Sequence, residues 1–327
     1  MDGAYDEVLE RFHETGPEYH DYLSNHGPMA ADALVRMGFS DGLHAWTDDY
    51  LRRMEPRPAG SPALGRWEEA LGDPTRLGDW LAYFDRVTTE QPWQEVLTTW
   101  WPRLLPGLLA AATHGVIRTG HAVRSLREQD NDVRRAELGD ALASWAARFV
   151  PLPPATPSGV RVPAQAYDDL PVSEVAGGAR DRAAALGPSW VSVVASVRQP
   201  DDVAGSLDEL VDAAVSRYAH WAPAQPTMLV HMATAPRAVS LVVPSLPPWM
   251  HREAYAFAWN ASAAIGSMYR PSADPGATTP VGDVAGDAYA TADVHAIKLT
   301  EVALESQARG NPDALVAAAL SSALVES

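Results

Sequence analysis

Apolar side chains recur every three or four residues along most of this chain, the spacing that gathers them on one face of a helix. Leu77 to Val87 (LGDWLAYFDRV) shows the pattern well, after Asp73-Pro74 as a helix start. Gln91 to Arg127 is a long apolar stretch that Pro102 and Pro106 should kink or split. Asp132 to Val150 is amphipathic. Pro151-Leu152-Pro153-Pro154, with Pro157-Ser158-Gly159 close behind, is the sharpest break and reads as a linker or crossover loop. Beyond it, Ser206 to Trp221, Met228 to Val243, Pro248 to Tyr269 and Tyr289 to Arg309 are helical in period. Arg270 to Gly286 is a Pro/Gly/Ala/Thr-rich loop, and Asn311-Pro312-Asp313 opens a last helix to about Val325. A short apolar run, Trp190 to Val197, is strand or helix; its length does not separate the two. The expected architecture is all-α, a multi-helix bundle. It forms one large domain over residues 1–327 that admits two helical halves, 1–150 and 160–327, joined by the Pro-rich loop.

Composition narrows the classes of function. With 46% hydrophobic and 20% charged residues the chain has the make-up of an ordinary globular protein. A net charge of −17 repels phosphates, which argues against nucleic acid and anionic membrane as partners. There is no cysteine, hence no disulfide, thiolate metal site or cysteine nucleophile. The N-terminus lacks a basic segment followed by an apolar stretch, and no uncharged apolar run is long enough to span a bilayer. The expectation is a cytoplasmic protein of open oligomeric state. No phosphate-binding G-x-x-x-x-G-K, dinucleotide G-x-G-x-x-G, G-x-S-x-G or H-E-x-x-H motif is present, so a need for NADPH has no motif behind it.

One residue stands out. Among 25 basic residues there is a single lysine, Lys298, in Asp293-Val294-His295-Ala296-Ile297-Lys298. A guanidinium stays protonated in proteins, whereas a buried ammonium can lose its proton and become a nucleophile or a ligand precursor. On a helix, His295 and Lys298 share a face. With 10 histidines in the chain, such spacing arises by chance about 12% of the time, so spacing alone decides little.

The other histidines differ in context. His13, His20, His44, His220 and His251 lie in polar or turn-like surroundings and read as structural. His26 (Ser24-Asn25-His26-Gly27-Pro28) sits just before a helix starting at Pro28. His114 and His121 are two helical turns apart on one side of a helix, with Arg118 between them. His231 lies in the apolar segment Met228-Leu229-Val230-His231-Met232. Each alone is more often a hydrogen-bonded core histidine than a ligand. Several imidazoles from different helices, with no cysteine available, make a buried metal site the main functional alternative.

Four ordered segments resemble the questin oxidase-like family of fungal and actinobacterial proteins. They are Ser24-Asn25-His26-Gly27-Pro28-Met29-Ala30, the run from Thr113 to Ala122, the run from His231 to Ala238, and His295-Ala296-Ile297-Lys298-Leu299-Thr300-Glu301. The resemblance spans residues 5 to 320 or so, and none of the motifs is specific alone. It implies oxidation and ring opening of polyketide-derived aromatics such as anthraquinones, by Baeyer–Villiger-like or ring-cleaving dioxygenase chemistry. It also implies a non-haem iron, Fe(II), held by four histidines and a carboxylated lysine. Carried onto this chain, the lysine is Lys298 and the best-fitting histidines are His26, His114, His231 and His295. Fungal relatives carry a second histidine four residues after the position of His114, where this chain has Arg118. His121 is then either a ligand or an outer neighbour of one, as are Arg118 and Glu301, and the fourth histidine stays open. Fungal members are longer, which leaves the substrate open too.

A carbamate formed from a neutral lysine amine and carbon dioxide is an anionic oxygen ligand that arginine cannot provide. The implied partners are dioxygen and a flat aromatic small molecule, for which Trp100, Trp101, Trp249 and Trp259 are candidate cavity walls. Two other readings stand beside this one: an NADPH-dependent, metal-independent monooxygenase, and a non-catalytic helical protein that binds hydrophobic ligands.

Overall fold

The structure, a computed structural model, describes residues 3–20, 22–153, 155–273, 279 and 281–325. Parts of two expected loops, Pro154 and residues 274–278 and 280, lie outside the described residues. The chain is all-α; among the described residues the named strands are two residues long each. None of its helices is long and apolar enough to cross a membrane, among the described residues.

The chain divides into two compact units, one of Met1–Pro151 with Leu241–Pro248, the other of Leu152–Ser240 with Trp249–Ser327. In the first unit α1 (Gly3–His13) leads to an antiparallel pair, β1 (Glu18–Tyr19) with β2 (Leu23–Ser24), then α2 (Gly27–Arg36) and α3 (Leu43–Leu51). After the single turn α4 (Trp67–Ala70) come α5 (Leu77–Glu90), α6 (Trp93–Leu104), α7 (His114–Glu128) and α8 (Asp132–Ala147). Helix α8 is the hub, packing against α5, α7, α1 and α6. The stretch expected to be kinked by Pro102 and Pro106 is split. Pro102 is tolerated inside α6, and a 3-10 turn over Leu105–Gly107 ends it.

Tryptophans fill this core. Trp80 stacks on Phe84 and meets Trp100 edge-on at 5.4 Å, while Trp101 meets Trp145 at 5.6 Å. Burying one such ring removes enough apolar surface to contribute about 4–6 kcal/mol before conformational entropy is charged against it. Trp100 and Trp101 are thus packing residues of this core.

The second unit begins with the short helices α9 (Pro163–Ala166), α10 (Ala179–Ala184) and α11 (Pro188–Ala195). After them come α12 (Val203–Trp221), the short α13 (Pro226–Leu229), α14 (His231–Val242) and α15 (Pro248–Tyr269). The unit ends with α16 (Val284–Thr291), α17 (Val294–Ala308) and α18 (Ala314–Val325). The ambiguous apolar run is helical, as α11. The alanine-rich α18 packs closely against α17, α16 and α12, because small side chains let backbones approach. Trp259 is buried against Tyr167 and donates from Nε1 to the carbonyl of Val194 at 3.1 Å, whereas Trp249 is 69% exposed.

Two segments expected to be single helices are broken. Met228 to Val243 divides at Val230 into α13 and α14. Tyr289 to Arg309 divides at Ala292, which takes a left-handed φ of 53°.

Candidate metal centre

The candidate ligands divide between the two units. In the first, His26 is the N-cap of α2. Its backbone N–H donates to the Tyr50 hydroxyl at 2.7 Å, and the preceding Asn25 ties the turn by accepting from Gly27 N at 2.9 Å and donating to Gly16 O at 3.1 Å. Gly27 is required by a close approach: a Cβ there would lie 2.2 Å from the Phe12 ring of α1.

His114 opens α7 after an unusual turn. Ala111, Ala112 and Thr113 have φ of 47°, 54° and 73°, three consecutive left-handed residues without a glycine. Each costs roughly 1–2 kcal/mol, so the surroundings must hold them. Trp145 of α8 provides such a hold at both ends, donating from Nε1 to Gly107 O at 2.9 Å and packing on Gly115, where a Cβ would sit 2.6 Å from its own. The turn brings the Ala111 carbonyl onto His114 Nδ1.

His26 Nε2 and His114 Nε2 are 2.7 Å apart, with the rings nearly perpendicular. With Nδ1–H of His114 given to Ala111, its Nε2 carries a lone pair. Two arrangements fit: an N–H of His26 donating to His114, or both lone pairs on one cation. Adjacent ligands at right angles with bonds of about 2.1 Å sit about 3.0 Å apart, so the spacing suits a metal with little adjustment.

The two other candidates of this unit are engaged elsewhere. Arg118, one turn after His114, makes a two-pronged ion pair with Glu137 at 2.6 and 2.7 Å. Burial works against its charge, and Glu137 raises its pKa above the ordinary value. His121 Nδ1 lies 2.8 Å from Asp32 Oδ2. Burial alone would raise the Asp32 carboxyl; Arg124 and His121 reverse that and hold it well below the usual range.

In the second unit Asp293 caps α17, accepting from His295 N at 2.8 Å and Ala296 N at 2.9 Å. The cap fixes the helix start, which puts His295 in the first turn and Lys298 one turn on. His231 opens α14 with Nδ1 3.0 Å from the Met228 carbonyl, and its ring lies 5.6 Å from that of His295.

Burial, and then the Lys298 charge, push His231 down to about 3. His295 is pushed well below its ordinary value by burial, Lys298 and His231 in that order. Lys298 is buried, and burial pulls it down to about 7 against the opposing pull of Asp293. Its Nζ has no hydrogen-bond partner among the described residues. Glu301, one turn further along α17, is buried.

Within each unit the imidazoles are placed as potential metal donors. His114 and His231 each place Nδ1 against a backbone carbonyl three residues back, which leaves Nε2 as the coordinating nitrogen; metal-ligating histidines are oriented in this way. Burial that disfavours the imidazolium leaves His231 and His295 their lone pairs, and the same effect lowers the pKa of the Lys298 ammonium and favours its neutral amine.

Sequence reading missed the supports of these side chains. Tyr50 and the carbonyls of Ala111 and Met228 carry no motif, although Asp293, an N-cap residue two positions before a histidine, was a visible signal. No family model matches the chain, and no curated protein matches it.

Proposed function

We propose that this chain is a non-haem iron oxygenase that opens a ring of a polycyclic aromatic polyketide. Its iron(II) is held by the ligand set the resemblance implies: His26, His114, His231, His295 and a carboxylated Lys298. The observation that carries the reading is Lys298 itself, the only lysine of the chain, buried, and pushed down to about 7 by burial. A large share of its amine is neutral near neutral pH, and a neutral amine adds carbon dioxide. The nitrogen lone pair forms the N–C bond, one C=O pair moves onto oxygen, and the released proton leaves to solvent. An anionic oxygen donor on a flexible stem results, next to the neutral imidazoles of His231 and His295.

When bound, iron(II) supplies the one-electron chemistry that lets triplet dioxygen react with a closed-shell aromatic. The chain's own part is to hold the ligands ready. Ala111 and Met228 orient two imidazoles through Nδ1, and burial disfavours the protonated forms of His231 and His295.

The test is anaerobic reconstitution with iron(II) and isotope-labelled bicarbonate, read by metal analysis and carbon NMR. The expected result is about one iron per chain and a carbamate signal that disappears in Lys298→Arg; less than about a tenth of an iron per chain sinks the proposal. Retained iron and activity in Lys298→Arg would remove the carbamate. Oxygen uptake with an anthraquinone panel, with and without NADPH, separates this enzyme from a metal-independent monooxygenase, and no uptake at all points to a binding protein.

A further inference from the structure

The strained turn ahead of His114 is a feature of the backbone, and two of its three residues, Ala111 and Ala112, lie outside the segments that carry the resemblance. We infer that Ala111–Ala112–Thr113 is a positioning device that sets the tautomer of His114 before any ligand arrives; its purpose rests on the reading of His114 as a metal ligand. A left-handed turn of two alanines and a threonine is not an intrinsic preference of these residues, so tertiary contacts impose it.

Those contacts are specific. Trp145 holds Gly107 on one side of the turn and Gly115 on the other, and Leu108, Leu109, Ala110 and Thr113 are buried between. In this conformation the Ala111 carbonyl faces both the backbone N–H of His114, at 3.2 Å, and its Nδ1. The same carbonyl thus fixes the start of α7 and the position of the imidazole proton. Nδ1 keeps the proton, and Nε2 presents its lone pair toward His26 Nε2, 2.7 Å away. A turn that merely connected α6 to α7 would have no need to expend left-handed conformations on non-glycine residues.

Two substitutions at the centre of the turn separate positioning from packing. Ala112 is half-buried, so small changes fit. Ala112→Gly removes the strain but frees the backbone, whereas Ala112→Asn tolerates the left-handed region and keeps it restricted. The full chain is prepared metal-free, and the imidazole nitrogens are followed by NMR, with His114→Gln assigning the His114 signals. Wild type and Ala112→Asn are expected to show a protonated Nδ1 and a bare Nε2 at His114, and Ala112→Gly a mixture of both tautomers. Cobalt(II) affinity, from competition with a chelator, should fall about 10- to 100-fold in Ala112→Gly and stay within about threefold in Ala112→Asn, with no loss of melting temperature in either.

An unchanged tautomer and affinity in Ala112→Gly overturns the inference. So does weaker binding that merely tracks a lower melting temperature. If wild type binds no metal, the functional reading fails on its own, while the tautomer measurement still decides what the turn does.

Discussion

The Nε2 atoms of His26 and His114 face each other at 2.7 Å, brought together by α2 and α7 from 88 positions apart in the chain. Two imidazole nitrogens at that distance must share a proton or a cation. His114→Ala and His26→Ala should therefore each lower cobalt(II) affinity by at least about 100-fold, measured by chelator competition, with the helical circular dichroism unchanged. Full affinity in either variant would take that histidine out of the ligand set.

Lys298 makes a prediction in pH. Its folded pKa, about 7, lies below the ordinary 10.5, so the unfolded chain binds more protons between those values. Stability of the metal-free, bicarbonate-free protein should rise with pH across that window, by at most about 5 kcal/mol. Lys298→Met should flatten the rise and stabilise the protein most at pH 7 and below. Urea unfolding at several pH values measures it; parallel curves for the two proteins contradict a buried, depressed amine.

His231 and His295 act on the acid side. His231 falls from 6.5 to about 3, and His295 shifts the same way, so stability is lost as pH falls below 6.5 toward the folded values. A bound metal competes with those protons. Metal-loaded protein should thus show an acid-unfolding midpoint below that of the metal-free form, by roughly one pH unit or more. Coincident midpoints in a fluorescence titration would show that the ion does not bind these imidazoles.

The buried pair Arg118–Glu137 invites a double-mutant cycle. Glu137→Gln leaves a guanidinium buried with its main partner neutralised and should cost about 3–5 kcal/mol in urea unfolding. Arg118→Met combined with Glu137→Gln removes both charges and should cost much less than the sum of the two single changes. Additive costs would mean that the two side chains do not stabilise each other.

Gly27 and Gly115 each follow a candidate ligand, and each lets an aromatic residue of a neighbouring helix lie directly on the backbone, Phe12 and Trp145 respectively. Alanine at either position should cost about 1–3 kcal/mol and weaken metal binding, because the neighbour must move and the histidine moves with it. Calorimetry and metal titration on the two variants test this, and an alanine that changes neither would show that these contacts are slack.

Much of the fold was legible in the pattern of the chain. Apolar spacing located α5, α8, α12 and α15, Pro106 marked the C-terminal end of α6, and prolines marked the break after residue 150. These features are local: a helix face follows from spacing, and a proline removes a donor wherever it stands. The lone lysine and its histidine were readable for the same reason, since one turn of one helix relates them.

What the sequence hid lies where ordinary residues do unusual things. Nothing in Ala111-Ala112-Thr113 or Ala292 signals a left-handed turn, because alanine and threonine do not adopt one by preference; helical periodicity simply ran through both. Packing imposes such turns, as Trp145 does at Gly107 and Gly115. The same holds for the chemistry. The sequence determined that imidazoles and one amine were available, on helices, in an apolar setting. Tertiary structure decided which Nδ1 meets a carbonyl, which imidazoles face each other, and that Lys298 is buried deeply enough to give up its proton near neutral pH, because burial and hydrogen-bond geometry are properties of neighbours far apart in the chain.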